Sequence, residues 1–331
     1  MLDHHYMQLV SMILNRGNKK QTRNGEVLSL FGAQINHSMQ TGFPLLTTKK
    51  VAFKTMAAEL LWFLKGRTDL RFLLENNCNI WNGDAFKAYL DATSTFRKSH
   101  QNEYKLPNTM EEFIERIKTD DAFNDEWGYL GPIYGKQWRS WETNIVDYPG
   151  RLFSPSTVDQ LSVVLEELKH NPDSRRLLVN AWNVTELHEM TVPPCHFAFQ
   201  LYTRELDKSE RQRMKNDLGK EIPERAISLI WYQRSCDVPL GLPFNIASYG
   251  LLLEIIAKKA RMLPENLTGF LGDAHIYANQ VEGVKEQLQR QAYDELPFLV
   301  FKEKELNEYQ VSDFVLLGYQ SHSSIPIPLS N

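Results

Sequence analysis

The stretch from Phe53 to Lys65 constrains the fold more than any other. Its apolar side chains Phe53, Met56, Ala57, Leu60, Leu61, Phe63 and Leu64 recur at helical spacing, and Gly66 follows as the usual terminating residue. A helix this apolar must be buried on most of its circumference, so the chain has to build a thick core around it. One carboxylate, Glu59, sits within it, either partnered in that core or serving as an acid–base group with a raised pKa. The 331 residues, 42% apolar and 24% charged, provide material for one large domain or two modest ones.

Other periodicities fill in the frame. Residues 5–17 carry Tyr6, Leu9, Val10, Met12 and Ile13 at helical spacing, and Leu28 to Ile35 reads as a strand. Leu177 to Val184, Phe197 to Thr203, Ile227 to Gln233 and Phe298 to Lys302 are β-rich, and Ser248 to Ala260 is a second apolar helix. Two polar stretches read as insertions. Residues 92–127 look like a surface excursion, helical over Met110 to Ile117. Residues 203–225, with Arg204, Lys208, Glu210, Arg211, Arg213 and Lys215, have little to bury and read as a lengthened connection between two strands. The mixture predicts a single α+β domain around a central sheet.

A formal net charge of −4 argues against a polymeric nucleic acid partner, which normally meets a basic stripe. Any anionic ligand must instead be met by a local cluster of arginines. The three cysteines, Cys78, Cys195 and Cys236, are too scattered for a disulfide framework or a zinc site, so reduced thiols and no metal are expected. The N-terminus lacks the basic-then-apolar order of a secretion signal, and no apolar run approaches the ~20 residues that span a bilayer. The expectation is a cytoplasmic protein with no membrane partner.

Candidate chemistry gathers in a few runs. Cys195 follows Pro193 and Pro194, which remove backbone donors and hold the chain extended or turned. By itself it reads more readily as a small core thiol than as a nucleophile. His196 does not decide between them, because adjacent strand residues point to opposite faces. Asp173-Ser174-Arg175-Arg176 and Gln233-Arg234-Ser235 combine guanidinium groups with hydroxyls, as phosphate sites do and as solvated surface forks also do. Arg234, beside Trp231 and Tyr232 in an apolar segment, is expected to need an anion. Asp237 and Asn245 flank the glycine-containing turn Leu240-Gly241-Leu242-Pro243-Phe244. Asn245 is suited either to the O4 and N3–H edge of uracil or to capping the helix that follows.

Taken together, these runs resemble the thymidylate synthase family. The resemblance rests on Gly42-Phe43-Pro44-Leu45-Leu46-Thr47-Thr48-Lys49-Lys50, Glu59-Leu60-Leu61-Trp62-Phe63-Leu64 and Leu130-Gly131-Pro132-Ile133-Tyr134-Gly135-Lys136-Gln137-Trp138. It continues through Pro172-Asp173-Ser174-Arg175-Arg176, Pro194-Cys195-His196, Gln233-Arg234-Ser235-Cys236-Asp237 and Gly272-Asp273-Ala274-His275-Ile276-Tyr277. The match covers nearly the whole chain apart from the two insertions. It implies a large mixed sheet flanked by helices and a homodimer joined sheet to sheet, with dUMP and 5,10-methylenetetrahydrofolate as substrates. Cys195 would add to C6 of dUMP. Arg23, Gln233, Arg234 and Ser235 would bind the nucleotide, and Arg175 and Arg176 would reach the phosphate in the partner subunit. Asn245 would read the uracil edge, His275 and Tyr277 would hold the ribose, and Glu59, Tyr134, His196, Asn245 and Asp237 would serve the chemistry. Ile80, Trp81, Asp237, Leu240, Gly241, Phe244, Leu329 and Ser330 would form the folate side.

Three places depart from the family pattern. The arginine loop is Arg23-Asn24-Gly25-Glu26-Val27-Leu28, one residue short. Asp84 stands where the family carries Trp or Asn, and the chain ends Leu329-Ser330-Asn331 in place of a small apolar triplet. In the family these places meet where the C-terminus closes over the folate. The resemblance implies reductive methylation to dTMP. The departures hold open a hydroxymethylase, known in the superfamily and often from bacterial viruses, in which water completes the reaction; the compartment would then be the host cytoplasm. A catalytically silent homologue that only binds nucleotide or RNA is the third reading.

Overall fold

In the computed structural model the described residues are 2–99, 106–146, 153–219 and 221–330. Residues 100–105 of the expected 92–127 excursion and Asn331 of the C-terminal triplet lie outside them. The chain falls into two compact units. One comprises Met1–Phe53, Gln160–Asn180 and Cys195–Ser330; the other, Lys54–Asp159 and Ala181–Pro194.

The first unit is built on six strands: β1 (Asn18–Thr22), β2 (Gly25–Ser38), β3 (Leu178–Asn180), β4 (His196–Glu205), β5 (Arg225–Asp237) and β6 (Leu263–Tyr277). Their order is β1-β2-β6-β5-β4-β3. Every neighbouring pair is antiparallel except β5 and β6, so the sheet is mixed. A parallel pair needs a crossover, and the helix Gly241–Ala260 supplies it. Alternation along the strands sends Ile35, Phe199, Leu229, Trp231, Leu267 and Leu271 inward. Tyr249 of the crossover helix stacks on Trp231 at 5.3 Å. The opposite face leaves Phe31, Tyr202 and Phe270 exposed. A helix over Leu2–Arg16 buries Tyr6, Leu9, Val10 and Ile13, as its spacing predicts, but leaves Met12 exposed at the edge of the stripe.

The observed fold is thus α+β, a large mixed sheet with flanking helices. Strand β3 is shorter than the β-rich run 177–184 suggests, and β6 had no clear signature because Pro264, Gly269 and Gly272 interrupt it. Gly269 is there for packing: a Cβ would lie 2.2 Å from the Trp231 ring. The 203–225 segment does join two strands, β4 and β5, through the helix Lys208–Leu218. Its Leu206 and Ile222 pack with Ala226 and Leu263 in a small cluster that Met214 covers.

The second unit takes the helix Phe53–Leu64 from Lys54 onward, and its Trp62 and Phe63 are fully buried. Gly66 ends it at φ 68, the left-handed conformation that glycine adopts without penalty. Helices Asn82–Ser99, Met110–Thr119 and Asp121–Trp127 follow. Tyr89, Phe113 and Phe123 make a buried aromatic cluster among them, so the expected surface excursion carries a small core of its own. Thr109 and Glu112 form a capping box at the start of the middle helix.

Among the described residues no helix is long and apolar enough to cross a membrane. No group of three or more His, Cys, Asp or Glu side chains among them is placed to hold a metal ion.

Candidate active site

In the first unit, the C-terminal end of β5 and the N-terminal end of β4 bring together most of the residues named from sequence. The Arg234 N–H donates to the Cys195 carbonyl at 2.8 Å, so the strand pins the backbone that carries the thiol. Cys195 is half-buried, whereas Cys78 and Cys236 are buried. Burial pushes the Cys236 thiol well above its ordinary value, helped by Asp237, and lifts Cys78 to about 12, helped by Glu59. Thiolate chemistry at those two sites is suppressed.

The next layer is a chain of amides. Trp231 Nε1–H donates to Gln233 Oε1 at 3.1 Å, which fixes the Gln233 amide with its nitrogen toward the site. That nitrogen donates to Asn245 Oδ1 at 3.0 Å and to the Ser235 carbonyl at 3.0 Å. Asn245 is thereby set with its NH₂ as donor and one lone pair of Oδ1 remaining, the pattern complementary to O4 and N3–H of a uracil ring. Asn245 lies inside the Gly241–Ala260 helix and does not cap it; the helix begins seven residues before the apolar run at Ser248. Asp237 accepts the Leu240 N–H at 2.9 Å just before the helix starts.

His196 is buried, and its Nδ1 lies 2.9 Å from the Tyr249 hydroxyl. Burial depresses its pKa to about 3, so the imidazole is neutral at physiological pH and serves as a hydrogen-bonding group, not a cation. His275 Nδ1 lies 3.1 Å from the Asp273 carbonyl. Burial raises the pKa of Tyr277, and Asp237 adds to the effect. Arg23 and Asn24 are the central residues of a two-residue turn joining β1 to β2, so the shortened loop is a tight hairpin. Arg23, Arg175, Arg176 and Arg234 are all exposed. The apolar neighbours of Arg234 do not bury it: strand alternation turns Trp231 inward and leaves Arg234 exposed.

The C-terminal segment is tied to the same unit. Asn24 Nδ2–H donates to the Ser330 carbonyl at 3.2 Å, and the Ser330 hydroxyl to Asn279 Oδ1 at 3.1 Å. Two of the departing places, the arginine loop and the tail, therefore hold each other, while Leu329 stays exposed.

In the second unit Glu59 is buried. Burial raises its pKa to about 7, with the Trp81 Nε1–H bond to Oε1 at 2.8 Å opposing the rise. Tyr134 is buried and stacks on Phe63 at 4.6 Å, with Trp81 edge-on at 6.1 Å. Glu59, Trp81 and Tyr134 thus form one cluster beside the more exposed Ile80, and a carboxyl poised near neutrality is what proton transfer requires.

Two residues escaped the sequence reading. Lys49 is buried and donates to the Pro239 carbonyl; burial lowers its pKa to about 8, against the pull of Asp237. Gln280 is buried behind Asp237, and a lone glutamine after β6 carries no sequence signal.

The chain is similar to known proteins over nearly its whole length. Residues 4–331 match the family model described as thymidylate synthase. A thymidylate synthase of Listeria monocytogenes serotype 4b (strain CLIP80459) is 39% identical over 345 residues, covering 98% of this chain and 99% of the relative. One from Mycoplasma genitalium is 40% identical over 321 residues, 97% of each chain.

Proposed function

The chain belongs to the thymidylate synthase family, and from that premise we propose that it transfers a one-carbon unit from 5,10-methylenetetrahydrofolate to C5 of dUMP, giving dTMP and dihydrofolate. Cys195 attacks C6, which makes C5 a carbon nucleophile and splits one hard substitution into easier steps. The folate supplies the methylene and then the hydride. Arg23, Arg234 and Ser235 bind the phosphate, His275 and Tyr277 the ribose, and Asn245 the base, held by Gln233. Glu59, near neutrality, handles the proton transfers with Tyr134 and His196. Asp237 takes the pterin, with Ile80, Trp81, Leu240, Gly241, Phe244 and the tail residues Leu329 and Ser330 around it. We read residues 1–331 as one catalytic domain, since the family match is continuous, and place the enzyme in the cytoplasm, where both substrates are made.

The enzyme also pairs with a second copy through its sheet. The exposed face that carries Phe31, Tyr202 and Phe270, with Tyr232 stacked on Phe270 at 5.8 Å, is an aromatic surface that needs a cover. Arg175 and Arg176, exposed at the start of β3, then serve the partner's phosphate site.

The observation that most supports dUMP is the amide relay from Trp231 through Gln233 to Asn245. Incubating the protein with dUMP and 5,10-methylenetetrahydrofolate tests the reaction. The expected result is dTMP by mass with the absorbance rise of dihydrofolate. Formation of 5-hydroxymethyl-dUMP without dihydrofolate would replace this reading with the hydroxymethylase. Binding of dUMP without turnover would replace it with a silent homologue. The docking of Ser330 on Asn24 and Asn279 favours a closed site and hence reduction.

A further inference from the structure

Gln280 closes the short turn Ala278–Gln280 after β6, and three separate parts of the first unit saturate its side chain. Oε1 accepts the Tyr277 N–H at 3.1 Å. Nε2 donates to Asp237 Oδ2 at 2.9 Å and to the Pro328 carbonyl at 3.2 Å. The other Asp237 oxygen accepts the Leu240 N–H. Turning the amide over would set an oxygen against two acceptors, so its orientation is unique. The residue is fully buried, so water cannot replace a lost partner at low cost. Lifting the C-terminal segment strands one amide hydrogen, and swinging Asp237 away strands the other.

We propose that Gln280 is a positioning residue that couples docking of residues 325–330 to the orientation of the Asp237 carboxylate. With the tail down, the Gln280 amide is held at both hydrogens and Asp237 is fixed toward the folate. With the tail up, the amide can rotate and the carboxylate loses its aim. This rests on Asp237 being the folate-binding carboxylate.

Gln280→Glu tests the coupling because it keeps the length and the oxygen that faces Tyr277 while removing both donations. Combined with deletion of residues 326–331, it closes a double-mutant cycle. The readouts are KM for 5,10-methylenetetrahydrofolate and, separately, dUMP binding without folate. The expected result is that deletion raises the folate KM about tenfold in the parent and less than about twofold in Gln280→Glu, with dUMP binding unchanged throughout. Equal effects of the deletion in both backgrounds would overturn the coupling, as would an unaltered folate KM in Gln280→Glu. Should Gln280→Glu not fold, Gln280→His carries the same cycle, since its ring can serve one acceptor but not both. A parent chain that neither binds nor turns over the folate would instead remove the reading of Asp237 itself.

Discussion

Strands β4 and β5 run side by side from His196 opposite Gln233 to Glu205 opposite Arg225, and their two ends are built differently. At the far end the two strand arginines are answered by acids. Arg204 lies 2.6 Å from Glu210 and 2.5 Å from Glu265, and Arg225 pairs with Asp173 and Glu205. At the near end Trp231, Gln233 and Asn245 are joined in a hydrogen-bonded relay of neutral groups, and an uncharged imidazole, His196, lies against the Tyr249 hydroxyl. Charges that neutralise each other at a surface make a solvated strap worth little to stability. Neutral groups that hold one another in register while keeping hydrogen-bonding capacity make a site.

The sharpest break in that contrast is Cys195→Ser. Turnover should fall by on the order of 10⁴-fold or more while dUMP binding persists, because the amide relay is untouched. Joint loss of binding and fold would mark Cys195 as a core thiol like Cys236.

Glu59→Gln comes next and should lower kcat by about 10²- to 10⁴-fold. It has a second signature. With its pKa raised from the ordinary 4.5 to about 7, the folded chain keeps a proton that the unfolded chain has lost between those values. Stability from this group is fully present below pH 4.5 and declines as pH rises to about 7. Denaturation across that interval should be flatter in Glu59→Gln, and an unchanged slope would show that Glu59 is not the titrating group.

Asn245→Asp should reduce the preference for dUMP over dCMP by about 10- to 100-fold, read as the ratio of kcat/KM values. An unaltered ratio would mean that another residue reads the base. At the far end Arg211→Ala, which removes only a 3.5 Å pair with exposed Glu224, should change stability by less than about 0.5 kcal/mol and leave turnover unchanged. A large loss there would erase the distinction between the two ends.

Much of this was legible in the chain. Helical spacing and Gly66 located the Phe53–Leu64 helix, and its lone carboxylate marked Glu59, because an acid in an apolar stripe must be either partnered or protonated. The order of motifs identified the family, and the roles proposed for Cys195 and Asn245 follow from it. What stayed hidden was set by contacts between distant residues. Glycines obscured β6, although Gly269 is a packing requirement of Trp231. The exposure of Arg234 was not legible because apolar neighbours on a strand say nothing about the face its own side chain takes. Gln280 was invisible because its role depends on Asp237 and Pro328, far away in sequence.

The central claim is that Cys195, and neither of the other two thiols, bonds to C6 of the nucleotide. The most direct measurement uses 5-fluoro-dUMP with 5,10-methylenetetrahydrofolate, since fluorine at C5 cannot leave as the proton does and the adduct should persist. Peptide mass analysis should place the nucleotide on the Cys195 peptide, with none in Cys195→Ser. An adduct on Cys78 or Cys236, or turnover of dUMP by Cys195→Ser, would contradict it.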